Sequence, residues 1–181
     1  MDNQQVRLLN NDPDLSWVAG IIEGEGHIGL ARKTKGDFQY LPRIMITNTD
    51  ETLLDELGKI LREKNLAFYR RRQDVDDRMI RNIGNKVIKR NRKLSEVCIC
   101  GVGRVKRLLE SIIPYIRGEK KERAVVVRDF CANRMSQYNG KKPLPYTDLD
   151  HNLYKKFRSL VENPRDYTLN PIIGDDIVRT A

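Results

Sequence analysis

The chain has 181 residues, 39% of them hydrophobic, a length that suits one globular domain. No apolar run approaches the ~18 residues needed to cross a bilayer, which excludes a membrane-spanning reading. Lysine and arginine number 34 against 25 acids, a net charge of +9 that favours a polyanionic partner.

The first residues lack a basic start followed by an apolar stretch, so no secretion signal is read and an intracellular location is expected. The three cysteines, Cys98, Cys100 and Cys131, are odd in number and argue against a disulfide framework. Cys98 and Cys100 alternate along what reads as a strand, so their side chains share a face. Without a matching histidine or second cysteine pair they read as buried free thiols. From Arg70 to Lys93 there are ten basic residues against three acids, so most of the excess charge falls in one segment.

Asn11-Asp12-Pro13 predicts a helix start, with a side-chain oxygen at the cap and proline at the first helical position. The helix carries Leu15, Trp17, Val18, Ala19, Ile21 and Ile22 and stops at Gly24-Glu25-Gly26. A strand over 27–33, a turn at Lys35-Gly36-Asp37 and a strand over 38–47 form a hairpin. Thr49-Asp50 caps a second helix, whose Leu53, Leu54, Leu57, Ile60 and Leu61 fall at helical spacing. A strand over 66–72, a basic segment to Lys93 that reads as irregular or as an elaborated hairpin loop, and a strand over 96–100 follow. Helices are then expected around Val105–Ile113, from near Glu119 to Gln137, and from Thr147 to about Val161. The order is α-β-β-α-β-β-α with two more helices. One domain is expected over 1–165 and a tail over 166–181.

The helix around Gly20 carries unusual chemistry. Glu23 and Glu25 sit at its C-terminus, where the macrodipole disfavours negative charge by about 0.3–1 kcal/mol each. A cation there would reverse the penalty. Gly20 and Gly24 lie one turn apart, and each costs about 1 kcal/mol of helix propensity relative to alanine. Close approach of another backbone would account for them.

The stretch Val18-Ala-Gly-Ile-Ile-Glu-Gly-Glu-Gly26 resembles the LAGLIDADG signature, with Val for the first Leu and Glu for both acids. The hairpin after it, the helix start at Thr47-Asn-Thr-Asp50 and the segment Ile113-Pro-Tyr-Ile-Arg-Gly-Glu-Lys-Lys121 also resemble the LAGLIDADG homing endonuclease family, over roughly Leu15 to Arg134. The single motif points to the homodimeric type. The resemblance implies an α+β fold, an αββαββα core with a curved antiparallel DNA-binding sheet and extra C-terminal helices. It implies a site-specific endonuclease making a metal-dependent staggered cut in a long pseudo-palindromic DNA site, encoded in a mobile intron or intein and working in the cytoplasm or an organelle of its host.

The same resemblance assigns residues. Glu25 would bind the catalytic metal, with the carbonyl of Gly24 nearby. Mg²⁺ suits that role because it takes hard oxygen ligands and bridges to phosphate, and Mn²⁺ is the expected substitute. Asn48 would order the attacking water, and it also reads as a helix cap. Lys120 would be the basic residue near the phosphate, with Lys121 as the alternative, and both also read as a solvated helix start. Glu23 is expected to have a structural role at the helix end. Trp17, Gly20, Ile21 and Gly24 would form the dimer interface.

A two-stranded ribbon fits the major groove, with alternate side chains facing the bases. On that count Gly29, Ala31, Lys33 and Lys35 share the DNA-facing side with Gln39, Leu41 and Arg43, and with Arg70 and Arg72 of the third strand. Arg71, Lys89, Arg92 and Lys141 are expected at phosphates. The partners are thus double-stranded DNA and a second copy, with no membrane. An RNA-binding maturase, with intron RNA as partner, is the first alternative, and the Glu25 carboxylate argues against it. A DNA-binding regulator without catalysis is the second, because Glu replaces the commoner Asp.

Overall fold

The computed structural model describes residues 12–33, 39–73, 80–83, 86–89, 94–138 and 144–161. In chain order the elements are α1 (Pro13–Gly24), β1 (Gly26–Lys33), β2 (Gln39–Asn48), α2 (Glu51–Glu63) and β3 (Tyr69–Gln73). There follow β4 (Ile80–Ile83), β5 (Lys86–Lys89), β6 (Leu94–Cys100), α3 (Val102–Ile112), α4 (Lys120–Ser136) and α5 (Asp148–Val161). None of these helices is long and apolar enough to cross a membrane.

The α1 start is fixed by Asp12, whose Oδ1 accepts from the N–H groups of Asp14 and Leu15, each at 3.1 Å, while Pro13 fills the first turn. Lys64, just past α2, reaches the other oxygen of Asp12 at 2.7 Å and so ties the start of α1 to the end of α2. Asp50 caps α2 by accepting from the Leu53 N–H at 3.1 Å. Leu54, Leu57, Ile60 and Leu61 then share one face of α2, and all are buried.

Four strands pair antiparallel in the order β1-β2-β6-β3, and β4 and β5 pair as a separate hairpin inserted between β3 and β6. Alternation sorts the sheet into two faces. Ile28, Leu30, Tyr40, Ile44, Ile46, Val97 and Ile99 point inward and are buried against Val18 and Ile22 of α1, Leu108 and Ile112 of α3, and Val127 and Phe130 of α4. The opposite face carries no helix among the described residues. Gln39, Leu41, Thr47, Tyr69 and Arg71 are exposed on it.

The sequence expectation holds for most elements and fails at the start of β3. The strand expected from Leu66 begins only at Tyr69. Asn65 adopts a left-handed φ of 56°, a conformation asparagine tolerates, and closes α2 while dropping Leu66 into the core. In the basic segment, β4 and β5 form the hairpin of the elaborated-loop reading.

Helix α5 docks on α4 through a buried ion pair. Arg134 Nη1 meets Asp150 Oδ2 at 3.2 Å, with Asp150 fully buried and also accepting from Asn133 and from the Thr147 N–H. Burial works to raise the Asp150 pKa, but the hydrogen bonds from Thr147, Asn133 and Arg134 outweigh it and hold the carboxyl below its ordinary value. A depressed folded-state pKa stabilises the fold above the unfolded value of 3.8 and ceases to do so as pH falls through the lower folded value. Asp150→Ala should therefore cost about 3–5 kcal/mol in urea unfolding at neutral pH, because it strands the Arg134 charge. The difference from the parent chain should shrink in acid below the carboxyl range, and a pH-independent difference would remove the ion pair from the account.

Candidate active site

The end of α1 is built by two elements that brace each other. An α-helix leaves its last carbonyls without internal donors. Here the Lys120 ammonium, at the start of α4, donates to the carbonyls of Ile22 at 3.1 Å, Glu23 at 2.8 Å and Gly26 at 2.6 Å. In return Glu23 accepts from the Gly118 N–H and, at 3.5 Å, from the Arg117 N–H, just before α4. The structural role expected of Glu23 is thus visible as a cap on the segment of the same chain that precedes α4.

Burial lowers the Lys120 pKa and the Arg123 charge adds to this, while Glu23 and Glu25 act against both. An ammonium has three donors, and three carbonyls take them. In this arrangement Lys120 contributes charge and position, and Lys121 next to it is exposed with its side chain toward solvent. The structure brings Lys120, not Lys121, to the motif.

Glu25 follows α1 at φ −107° and ψ −14°, and its N–H donates to the Ile21 carbonyl at 2.8 Å. The residue is exposed, and its charge is felt by Lys120. Gly26 must be glycine for a local reason. A Cβ there would lie 2.7 Å from both the Cα and the carbonyl oxygen of Ile22. This tight reversal lets the chain leave the helix and enter β1 at once. It was not singled out in the sequence, although the Gly-Glu-Gly run is its signal.

Trp17, Gly20, Ile21 and Gly24 lie along one face of α1, and Trp17, Gly20 and Gly24 are exposed. A Cβ added at Gly20 or Gly24 would meet nothing within 4 Å. Among the described residues, nothing therefore requires these two glycines.

Asn48 ends β2, two residues past Ile46, which pairs with Gly26, so it lies at the same end of the sheet as Glu25. Its Oδ1 accepts from the Asp50 N–H at 3.0 Å, and the true α2 cap is Asp50. Partial desolvation of the His27 ring, with the charges of Arg43, Arg123 and Lys120, holds that histidine below its usual pKa.

The open sheet face continues from this end. His27, Gly29, Ala31 and Lys33 of β1 share it with Gln39, Leu41, Arg43 and Met45 of β2, in the register Gly29↔Arg43, Ala31↔Leu41 and Lys33↔Gln39. The expected side of Arg70 and Arg72 is corrected. Tyr69 pairs with Cys98 and Arg71 with Glu96, so Arg71 is on the open face and its two neighbours point the other way. Arg70 is bound to the carboxylates of Glu51 and Asp55 on α2, with its side chain only 20% exposed. Arg72 stays in solvent near Glu51, at 3.9 Å. Lys35, Arg92 and Lys141 lie outside the described residues, and for Lys89 only its place in β5 is described.

Among the described residues no three His, Cys, Asp or Glu side chains cluster as a metal cage. One chain offers the Glu25 carboxylate and the Gly24 carbonyl, which Lys120 does not engage. Mg²⁺ takes few protein ligands and completes its shell with water and substrate phosphate, so this sparse oxygen set fits Mg²⁺ and does not fit an ion that needs an all-protein cage.

No family model matches the chain, and neither does any curated protein. Solved structures do. The homing endonuclease I-CvuI, in complex with its target in the presence of calcium, is 20% identical with a TM-score of 0.51, over 84% of this chain and 99% of that one. The LAGLIDADG homing endonuclease I-GzeII, in complex with a DNA target, is 15% identical with a TM-score of 0.52, over 90% of this chain and 50% of that one. The meganuclease I-SmaMI, bound to uncleavable DNA, is 14% identical with a TM-score of 0.54, over 84% and 45%. This chain spans nearly all of the first and about half of the other two. With α1 ending at an exposed acid, an antiparallel sheet open on one face and helices packed on the other, the chain has the fold of the LAGLIDADG homing endonucleases.

Proposed function

We propose that this protein is a site-specific homing endonuclease that cuts double-stranded DNA as a homodimer, using Mg²⁺ or, in its place, Mn²⁺. The observation that carries the reading is the position of Glu25. This exposed carboxylate stands where the uncovered face of α1 meets the open face of the sheet.

Each part of the chain has a task in that reading. Lys33, Gln39, Arg43 and Arg71 lie on the open face, where Arg and Lys suit guanine and Gln suits adenine. Leu41, 40% exposed in the same row, offers an apolar contact of the kind a thymine methyl takes. Lys121 is free to neutralise a phosphate, whereas Lys120 holds the α1 terminus that presents Glu25. Asn48 keeps the second strand's end in place through Asp50, and its amide nitrogen, outside that bond, is the group offered to water. A divalent ion at Glu25 would polarise the scissile phosphate, stabilise the leaving oxygen and lower the pKa of water.

A second copy supports two needs at once. Packing two α1 faces together would cover Trp17, Gly20, Ile21 and Gly24, and it would bring a second Glu25 near the first. A two-fold dimer in turn reads a near-palindromic site and cuts both strands with a stagger.

Glu25→Gln should keep DNA binding and lose Mg²⁺-dependent cutting by at least ~100-fold, the scale of removing a principal electrostatic stabiliser. Gel shift and cleavage of the host gene lacking the insertion measure the two separately, and near-normal cutting would take Glu25 out of the mechanism. Gly20→Leu has room in the single chain, so its helix content should be unchanged by circular dichroism. Sedimentation should show that variant as a monomer and the parent as a dimer, and a parent monomeric both free and on DNA would defeat the symmetric reading. Lys120→Met leaves three carbonyls without their donor and should destabilise the fold by about 1–3 kcal/mol in urea, whereas Lys121→Met should not.

A further inference from the structure

We propose that Cys98 and Cys100 form a reversible dithiol–disulfide centre on the open sheet face, in which Cys100 meets a hydroperoxide and Cys98 closes the bridge. This is separate from the nuclease reading, although Arg43 and Arg71 of the DNA-reading set lie beside the pair.

The two side chains project from the same face of β6, and their sulfurs are 3.2 Å apart. Cys98 is buried, at 1% exposure, while Cys100 is partly open. Tyr69, across on β3, places its hydroxyl 3.5 Å from the Cys100 sulfur. From β2, Arg43 pairs directly with Cys100 and Met45 with Cys98. Glu96 and Arg71 are the remaining charged groups of these strands on that face. The hydrogen bond from Cys98 pulls the Cys100 thiol down to about 6, with Tyr69 and Arg43 assisting and burial and Glu96 opposing. That bond also pushes Cys98 upward. The outcome is a division of labour: an accessible thiolate beside a shielded, protonated thiol. Cys131, buried in the core and pushed up to about 12 by desolvation, has no such partner among the described residues.

The chemistry balances. The Cys100 thiolate attacks the terminal peroxide oxygen, breaking the O–O bond and expelling hydroxide from hydrogen peroxide or alkoxide from an organic hydroperoxide, and becomes a sulfenic acid. The Cys98 sulfur then attacks the Cys100 sulfur, its proton leaving with the displaced hydroxyl as water, and the S–S bond forms. Two thiols are oxidised and one peroxide is reduced. The buried thiol needs no solvent access for the second step, because its target is already in contact. Residues two apart on a strand span about 6.6 Å between Cα atoms, near the upper limit for a disulfide. The bridge must pucker β6, and a strained disulfide is readily reduced by a thiol, which makes the centre reversible.

The test is direct, since trypsin releases both cysteines in one peptide, Leu94 to Arg104. The purified full chain is treated with hydrogen peroxide, unfolded in N-ethylmaleimide, digested and analysed by mass spectrometry. The expected peptide is two hydrogens lighter and unalkylated, and dithiothreitol restores two alkylation sites, while the Cys131 peptide is alkylated throughout. In Cys98→Ser, dimedone should trap a sulfenic acid on Cys100. In Cys100→Ser, peroxide should leave Cys98 fully alkylated. A parent peptide still doubly alkylated after peroxide, or oxidised irreversibly at Cys100 alone, would overturn the proposal, as would a Cys100→Ser chain oxidised at the parent rate.

Discussion

The contact on which the rest of the structure depends is the reciprocal cap between α1 and α4. A helix C-terminus carries partial negative charge and orphan carbonyls, and this one adds Glu23 and Glu25. Left alone, such an end would fray. Lys120 supplies a positive charge and its three donors to that end, and Glu23 caps the segment that precedes Lys120. Each element thereby corrects the electrostatic fault of the other. The one acid left without a structural task, Glu25, is held in solvent at a defined place.

From that fixed point the sheet follows. Gly26 lets the chain reverse against Ile22 without collision, so β1 begins one residue after the acid. The phase of β1 then sets which side chains face outward: every second residue from His27 joins the open face, and the pairing carries the phase to β2, β6 and β3. A slip of one residue at Gly26 would place Ile28 and Leu30 in solvent and Lys33 against the helices. The location of the acid and the identity of the basic face are consequences of one junction.

Much of this was legible beforehand. Apolar residues at helical spacing fixed α2 and α3, Asp12 and Asp50 announced their caps, and alternation sorted β1 and β2 correctly. What failed was the phase of β3. Arg70, Arg71 and Arg72 are three identical residues, so the sequence contains no alternation from which to read a face. The missing information was on another element: Glu51 and Asp55, one turn apart on α2, form the acidic pair that captures Arg70 and leaves Arg71 to the open side. The Lys120 cap was hidden for a different reason. Its acceptors are backbone carbonyls, which every residue has, so no sequence pattern marks them. Resemblance points to Lys120, whereas its full engagement with those carbonyls is visible only in the fold.

The glycines on α1 press the argument beyond a single chain. Each costs about 1 kcal/mol relative to alanine in a helix. At Gly26 the cost has a return within the molecule, because a methyl group would strike Ile22. At Gly20 and Gly24 a methyl group would meet nothing within 4 Å, so among the described residues nothing gains from their absence of side chains. Trp17 is exposed on the same face, against the general tendency of large aromatic surface to be covered. A helix that gives up propensity and leaves a tryptophan in water makes physical sense when another backbone comes close along that stripe. At its tip the chain offers one carboxylate and one carbonyl, a set that a hard divalent ion would complete with water and phosphate oxygens. In the proposed dimer, two α1 helices would lie side by side with DNA phosphates across their ends.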